Sequence, residues 1–177
     1  MADANITKKA LADSMKKLMK KKPFDKISVI DICEGCGMNR KSFYYHFKDK
    51  YDLVNWIFYT DFIKTVSDRH FEKGWDLLTA TVEMFSKDRD FYKSALEITG
   101  QNSFREYFFE STYPIFDLFL PKEDDMSEEE RKADIKYLSA AFLTVLYWWL
   151  ADGKDQSPED FTNSMRKIVK ILAGSGI

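Results

Sequence analysis

Histidine and cysteine are almost missing from this chain, with two of each. A structural zinc site takes four ligands. Cys33 and Cys36 form a C-x-x-C pair and supply at most half of such a site, and only His46 and His70 could complete it. No strand pattern precedes the pair, as a thioredoxin-like redox motif requires. The remaining reading of the pair, two small weakly polar residues packing a helix joint, is the one adopted, and no metal or other cofactor is expected. Glycine is scarce too, at seven residues, and none of it forms a phosphate-cradling loop. G-x-S-x-G and H-E-x-x-H are absent, so nothing points to an enzyme. The longest uncharged run, Tyr137–Ala151, falls short of the ~18 apolar residues of a membrane span. No short apolar run precedes a small-residue cleavage site near the start. The expectation is a cytoplasmic chain that does not enter a membrane.

What is present is apolar mass, helix punctuation and uneven charge. Apolar residues make up 45% of the chain, enough for a packed core. The net charge is −2, but residues 1–50 hold 12 Lys and Arg against 6 Asp and Glu. A basic end on an acidic body fits a nucleic-acid partner better than the net charge suggests. Helical spacing recurs throughout, and no strand pattern or internal repeat appears. Thr7 is a candidate cap for a first helix that Pro23 ends, after a mobile arm at Met1–Asn5. Lys20, Lys21 and Lys22 either touch DNA backbone or form a solvated face. Asp49 caps a long helix to about Asp68, and Lys50 in its first turn opposes the helix dipole. A lysine there gains little from folding, so a phosphate partner is expected. Gly74 and Trp75 open or interrupt another helix. Ser86–Asp90 reads as a charged link, Phe91–Ile98 as a short helix, and Pro114 as a kink or split in the next. Pro121–Asp125 reads as a loop. Ser127 and Glu130 spell a capping box, and Ser157-Pro158-Glu159-Asp160 a second clean helix start.

Ile27–Leu53 is the most informative stretch. Val29, Ile32 and Cys33 fall at helical spacing behind Ser28, a cap-type residue. Gly37 supplies the positive φ of a sharp turn. A second short helix starts at Asn39, with Phe43 and Phe47 four apart and pointing inward. Arg40, Lys41, Tyr44, Tyr45 and Lys48 then lie on other faces. Cationic, hydroxyl and aromatic groups on a short exposed helix suit phosphate and base-edge contact. The pattern predicts a helix-turn-helix with its reading helix at Asn39–Phe47.

Ser28, Cys36-Gly37, Asn39, Phe43-Tyr44-Tyr45-His46-Phe47 and Lys50 together resemble the DNA-binding signature of the TetR/AcrR family of bacterial transcription regulators. The family more often has small residues at positions 33 and 36, and a small one at 41, where Lys41 adds charge to the reading face. The wording from Arg40 to Leu53 is also similar to a subgroup that includes activators of dihydroxyacetone kinase operons. The resemblance implies an all-α fold of about nine helices. A three-helix DNA-binding domain would occupy residues 1–50, and a helical ligand-binding and dimerisation domain residues 51–177. It places Arg40, Lys41, Ser42, Tyr44 and Tyr45 toward bases, with Asn39 opening the helix, and Ser28, His46 and Lys50 toward phosphates.

The body offers two further readings. Trp56, Tyr59, Phe62, Phe104, Tyr107, Phe108 and Tyr147 either line a pocket for a small planar or apolar effector or are core. Arg69, Arg89 and Arg105 either meet an effector's carboxylate or are solvated. The helix around Tyr137–Leu150 is apolar over much of its circumference, so it lies at the centre of a monomer or needs a partner. The family pairs its last two helices between subunits. This places Ala141, Val145, Trp148, Trp149, Met165, Ile168 and Leu172 in a homodimer seam, reading a palindromic operator on double-stranded DNA. The rival expectation is a co-regulator whose body binds a protein rather than a small molecule.

Overall fold

The computed structural model describes residues 2–67, 69–119, 126–152 and 155–174, the side chains of 2–4, 118, 119 and 172–174 excepted. Among the described residues every regular element is a helix. They are α1 (Ala2–Met19), a 3-10 turn (Phe24–Lys26), α2 (Val29–Glu34), α3 (Arg40–His46), α4 (Lys50–Ser67), α5 (Gly74–Lys87), α6 (Arg89–Leu96), α7 (Phe104–Phe119), α8 (Glu128–Asp152) and α9 (Pro158–Gly174). The all-α expectation holds. The loop expected at Pro121–Asp125 lies outside the described residues.

Local chemistry sets most boundaries. Asn39 accepts from the Ser42 amide at 2.9 Å, and Asp49 from the Asp52 amide at 2.8 Å. Ser127 and Ser157 accept from Glu130 and Asp160 amides at 3.2 and 3.0 Å. Each satisfies one of the orphan donors at a helix start. Three boundaries differ from the sequence expectation. The first helix begins at Ala2 rather than behind Thr7, because nothing between Ala2 and Ile6 breaks a helix and Asp3 suits its first turn. The expected link at Ser86–Asp90 shrinks to Asp88, since solvated charges do not by themselves end a helix. Pro114 does not split α7. Proline costs the Glu110 carbonyl its partner, but Pro114 and Glu110 are both exposed, and water can take the bond.

The chain forms two compact units. One comprises Met1–Asp61 and Asp90–Phe108, the other Phe62–Arg89 and Phe109–Ile177. In the first, Leu11 and Met15 of α1, Ile32 of α2, Phe43 of α3 and Leu53 and Phe58 of α4 are each fully shielded from water. Tyr92 is also fully buried. Its hydroxyl donates to Asp61 at 2.7 Å, and Lys16 donates to the same oxygen at 3.2 Å. This lets the tyrosine enter a packed region without leaving its hydroxyl unpaired. In the second unit α5 packs on α9, where the Thr79 and Thr162 hydroxyls meet at 3.3 Å. Leu143, Leu146 and Leu150 of α8 are buried.

Candidate nucleic-acid interface

Ser28, the N-cap of α2, forms a full capping box. Its hydroxyl accepts from the Asp31 amide, while its own amide and hydroxyl both donate to the Asp31 carboxylate at 2.7 Å. Lys22 pairs with the same carboxylate at 3.0 Å. These bonds hold Asp31 at a pKa of about 2, the bond from the Ser28 amide being the largest cause. The hydroxyl proton expected to face a phosphate is therefore spent inside the box.

The turn between α2 and α3 needs two glycines for different reasons. Gly37 has φ 69°, and a Cβ there would meet nothing. Gly35 has ordinary backbone angles, but a Cβ there would lie 2.2 Å from the Ser14 hydroxyl oxygen. That hydroxyl donates to the Ile32 carbonyl at 2.7 Å, so the Ser14 side chain of α1 occupies the space that a Cβ at Gly35 would take. Cys33 is buried, and the Cys36 thiol donates to the Ile32 carbonyl at 3.4 Å. Burial pushes both thiols above the usual range.

Phe43 and Phe47 seal the inner side of α3. Its other sides carry the expected groups. Arg40 and Lys41 are exposed, Tyr44 is 50% exposed, and Tyr45 is 83% exposed. The Arg40 guanidinium lies 5.8 Å from the Tyr44 ring centre, and half-buried His46 meets the Tyr45 ring edge-on at 4.9 Å. Ser42 is half-buried, and its hydroxyl donates to Asn39. α3 thus shows solvent a compact set of cation, phenol and imidazole donors on a sealed base, the chemistry that base edges and phosphates accept.

Lys50 corrects the sequence reading. Far from gaining little on folding, its ammonium donates to the carbonyls of Phe24 and Ile27, each at 2.9 Å. It also lies 4.3 Å from the Phe24 ring centre. Lys8, which no motif singled out, sits 5.6 Å from the Phe47 ring and 5.5 Å from the Trp56 ring.

The candidate pocket residues separate. Trp56 turns to the DNA-binding side, edge-on to Phe47 at 5.6 Å. Phe104 and Phe108 are buried, with centroids 5.3 and 5.4 Å from Phe58, and Tyr107 is edge-on to the same ring. Phe62 is buried, Tyr147 half-buried and Tyr59 exposed. Arg69 pairs with Glu83 at 2.9 Å, Arg89 donates to the Trp149 and Leu150 carbonyls, and Arg105 donates to the Leu96 carbonyl.

Ala141, Val145 and Trp148 are exposed along one side of α8, and Ile168 along α9; Met165 is half-buried. Trp149 is not on that side. It is buried against Phe161, its indole donating to the Gln156 carbonyl at 3.1 Å. The side chain of Leu172 lies outside the described residues. Tyr137 and Leu138 on α8, and Val169 and Ile171 on α9, extend the exposed apolar face. Helical spacing to Ala141 could have found the first two. Among the described residues no helix is long and apolar enough to cross a membrane.

Residues 11–57 match the family model of the bacterial regulatory proteins of the tetR family, and residues 72–171 match a transcriptional regulator C-terminal region of the same family. The HTH-type dhaKLM operon transcriptional activator DhaS of Lactococcus lactis is 27% identical over 151 residues, covering 82% of this chain and 80% of that protein. A solved structure of a dihydroxyacetone kinase operon activator DhaS superposes with a TM-score of 0.61 at 23% identity, over 96% of each chain. A TetR transcriptional regulator from Streptococcus agalactiae gives 0.67 at 20% identity, over 95% of this chain and 96% of its own. Both structures share the fold.

Proposed function

This chain belongs to the TetR family of bacterial transcription regulators, and we propose that it reads a two-fold operator as a homodimer, with α3 of each subunit in the major groove. Regulators of this family bind DNA, and so does this one. The observation that carries the finer reading is α3 itself, whose apolar side is closed by Phe43 and Phe47 while Arg40, Lys41, Tyr44 and Tyr45 face solvent. Arg40, Lys41, Ser42, Tyr44 and Tyr45 contact base edges, with Asn39 setting the start of the helix. His46 lies toward phosphates, while the Ser28 hydroxyl is held by Asp31 and the Lys50 ammonium by the carbonyls of Phe24 and Ile27. The DNA-binding role rests on residues 1–50; residues 51–177 sense and dimerise. The second subunit covers the exposed face of α8 and α9. The protein acts in the cytoplasm, as a regulator rather than a catalyst, and takes no cofactor.

A small-molecule effector acts by binding two arrangements of the dimer with different affinity, which changes the spacing of the two reading helices; tight binding alone shifts nothing. A second reading, in which the body answers to a protein partner, is favoured by the close packing of Phe104, Tyr107 and Phe108 round Phe58.

The test begins with an operator selected by the parent protein from randomised duplexes. An Arg40→Ala, Lys41→Ala double variant should lose preference for it, by about 1–3 kcal/mol for each bidentate contact to guanine. Full preference retained by the double variant would remove α3 from the reading. A metabolite screen in which operator affinity responds to small molecules supports the effector; response only to a co-purifying protein supports the second reading.

A further inference from the structure

We propose that Lys50 is a positioning residue for DNA reading: seated on the carbonyls of Phe24 and Ile27, it ties the start of α2 to the start of α4 and so sets how α3 is presented. The inference rests on the proposal that α3 reads DNA. A cation in the first turn of a helix faces the positive end of its dipole, so its place needs another cause. The cause is three contacts 23 to 26 residues away in sequence. Two are the carbonyls at 2.9 Å and the third is the Phe24 ring at 4.3 Å.

The location matters as much as the contacts. Phe24 opens the 3-10 turn, and Ile27 is its C-cap and the residue immediately before Ser28, the N-cap of α2. A shift of the Ile27 carbonyl therefore moves the capping box with Asp31, and α2 carries α3 through a short turn. On the other side Tyr51 packs edge-on to Phe24 at 4.9 Å. At the junction of α3 and α4, the Asp52 carboxylate accepts from the Lys48 amide at 2.9 Å. The ammonium thus closes a ring running from the 3-10 turn through α2 and α3 to α4. Two of its three donors and its ring contact are committed inside the protein. Burial favours its neutral form, opposed by the nearby Asp25 charge. Such a cation costs stability when its partners are removed and adds little to the protein's pull on distant phosphates.

The measurement is binding of the selected operator and of a scrambled duplex across a salt series, for the parent, Lys50→Met, Lys50→Arg and Phe24→Leu. Lys50→Met should weaken operator binding about tenfold, the worth of one mis-aimed base contact. Its scrambled-duplex affinity and salt slope should match the parent. Lys50→Arg should not rescue it, since a planar guanidinium cannot occupy the ammonium's seat. Phe24→Leu, which leaves the charge of Lys50 in place, should lower operator preference in the same direction and less. A simple phosphate ligand behaves otherwise. Lys50→Met would then weaken both duplexes alike and reduce the salt slope by about 0.9, Lys50→Arg would rescue, and Phe24→Leu would do nothing; that set overturns the proposal. A parent protein that selects no operator at all is a separate failure, that of the DNA-reading proposal, and would take this one with it. If Lys50→Met does not fold by circular dichroism, Phe24→Leu carries the decision alone, because the two roles assign it opposite outcomes.

Discussion

The outward side of α3 carries Arg40, Lys41, Tyr44 and Tyr45, whereas the outward side of α8 carries Tyr137, Leu138, Ala141, Val145 and Trp148. Both expose bulky side chains that a lone globule would dilute across its surface. The difference lies in what those side chains can bond. On α3 each aromatic ends in a hydroxyl, and Tyr44 stands beside the Arg40 guanidinium, so the surface stays well hydrated until a polar partner replaces the water. On α8 the face is mostly carbon, and Trp148 is 60% exposed. A continuous apolar face of that kind is unfavourable in water and suits the protein contact proposed for it. Exposure therefore means different things in the two regions, and the chemistry of the exposed atoms tells which partner each one suits.

Exchanging the two chemistries gives the largest expected effect. Leu138→Glu or Ile168→Glu puts an unpaired charge in the proposed seam and should cost about 3–5 kcal/mol of association, turning the dimer monomeric in sedimentation. Tyr45→Glu should leave sedimentation unchanged and abolish DNA binding, because a carboxylate on α3 faces phosphates. If the seam variants stay dimeric while the parent is dimeric, α8 and α9 are not the interface.

A smaller effect separates the two glycines of the DNA-binding turn. Gly35→Ala forces a Cβ into Ser14 and should destabilise by about 1–3 kcal/mol, partly restored by Ser14→Ala. Gly37→Ala should cost about 1 kcal/mol for its positive φ, and Gly37→Asn less. Thermal unfolding in which Gly37→Ala lost more stability than Gly35→Ala would mean that α1 relaxes away from the turn.

The two regions also share a device, which allows a finer test. Each opens a helix with a serine box, Ser28 with Asp31 and Ser127 with Glu130, and each box lowers its carboxyl pKa through bonds from the serine. A depressed folded-state pKa adds stability that is present above the unfolded value and lost as pH falls. For Asp31 the loss should run from about 3.8 down to about 2. Asp31→Asn should flatten that part of the acid unfolding curve while leaving the Glu130 part, which Glu130→Gln removes. An unchanged curve in Asp31→Asn would show that its box is open in solution.

Several features were legible because their causes are local. Ser28, Asn39, Asp49, Ser127 and Ser157 each cap amides three residues on, so a short window of sequence contains both partners. The sealed side of α3 follows from Phe43 within the helix, with Phe47 at its extended C-cap, and the positive φ of Gly37 from its place in a tight turn. The motif from Ser28 to Lys50 carries the family signature within one short stretch of sequence. Other features depended on segments far apart in the chain. Nothing near Lys50 announces that its partners are the carbonyls of Phe24 and Ile27. Nothing near Gly35 announces Ser14. From Tyr137 to Leu150 α8 is apolar over much of its circumference, so spacing alone could not tell that Trp148 faces out while Trp149 packs against Phe161. Nor could it tell that Phe104 and Phe108 close round Phe58. Caps and periods act within about one turn of helix, whereas the side a residue turns to a neighbour is decided when distant helices pack.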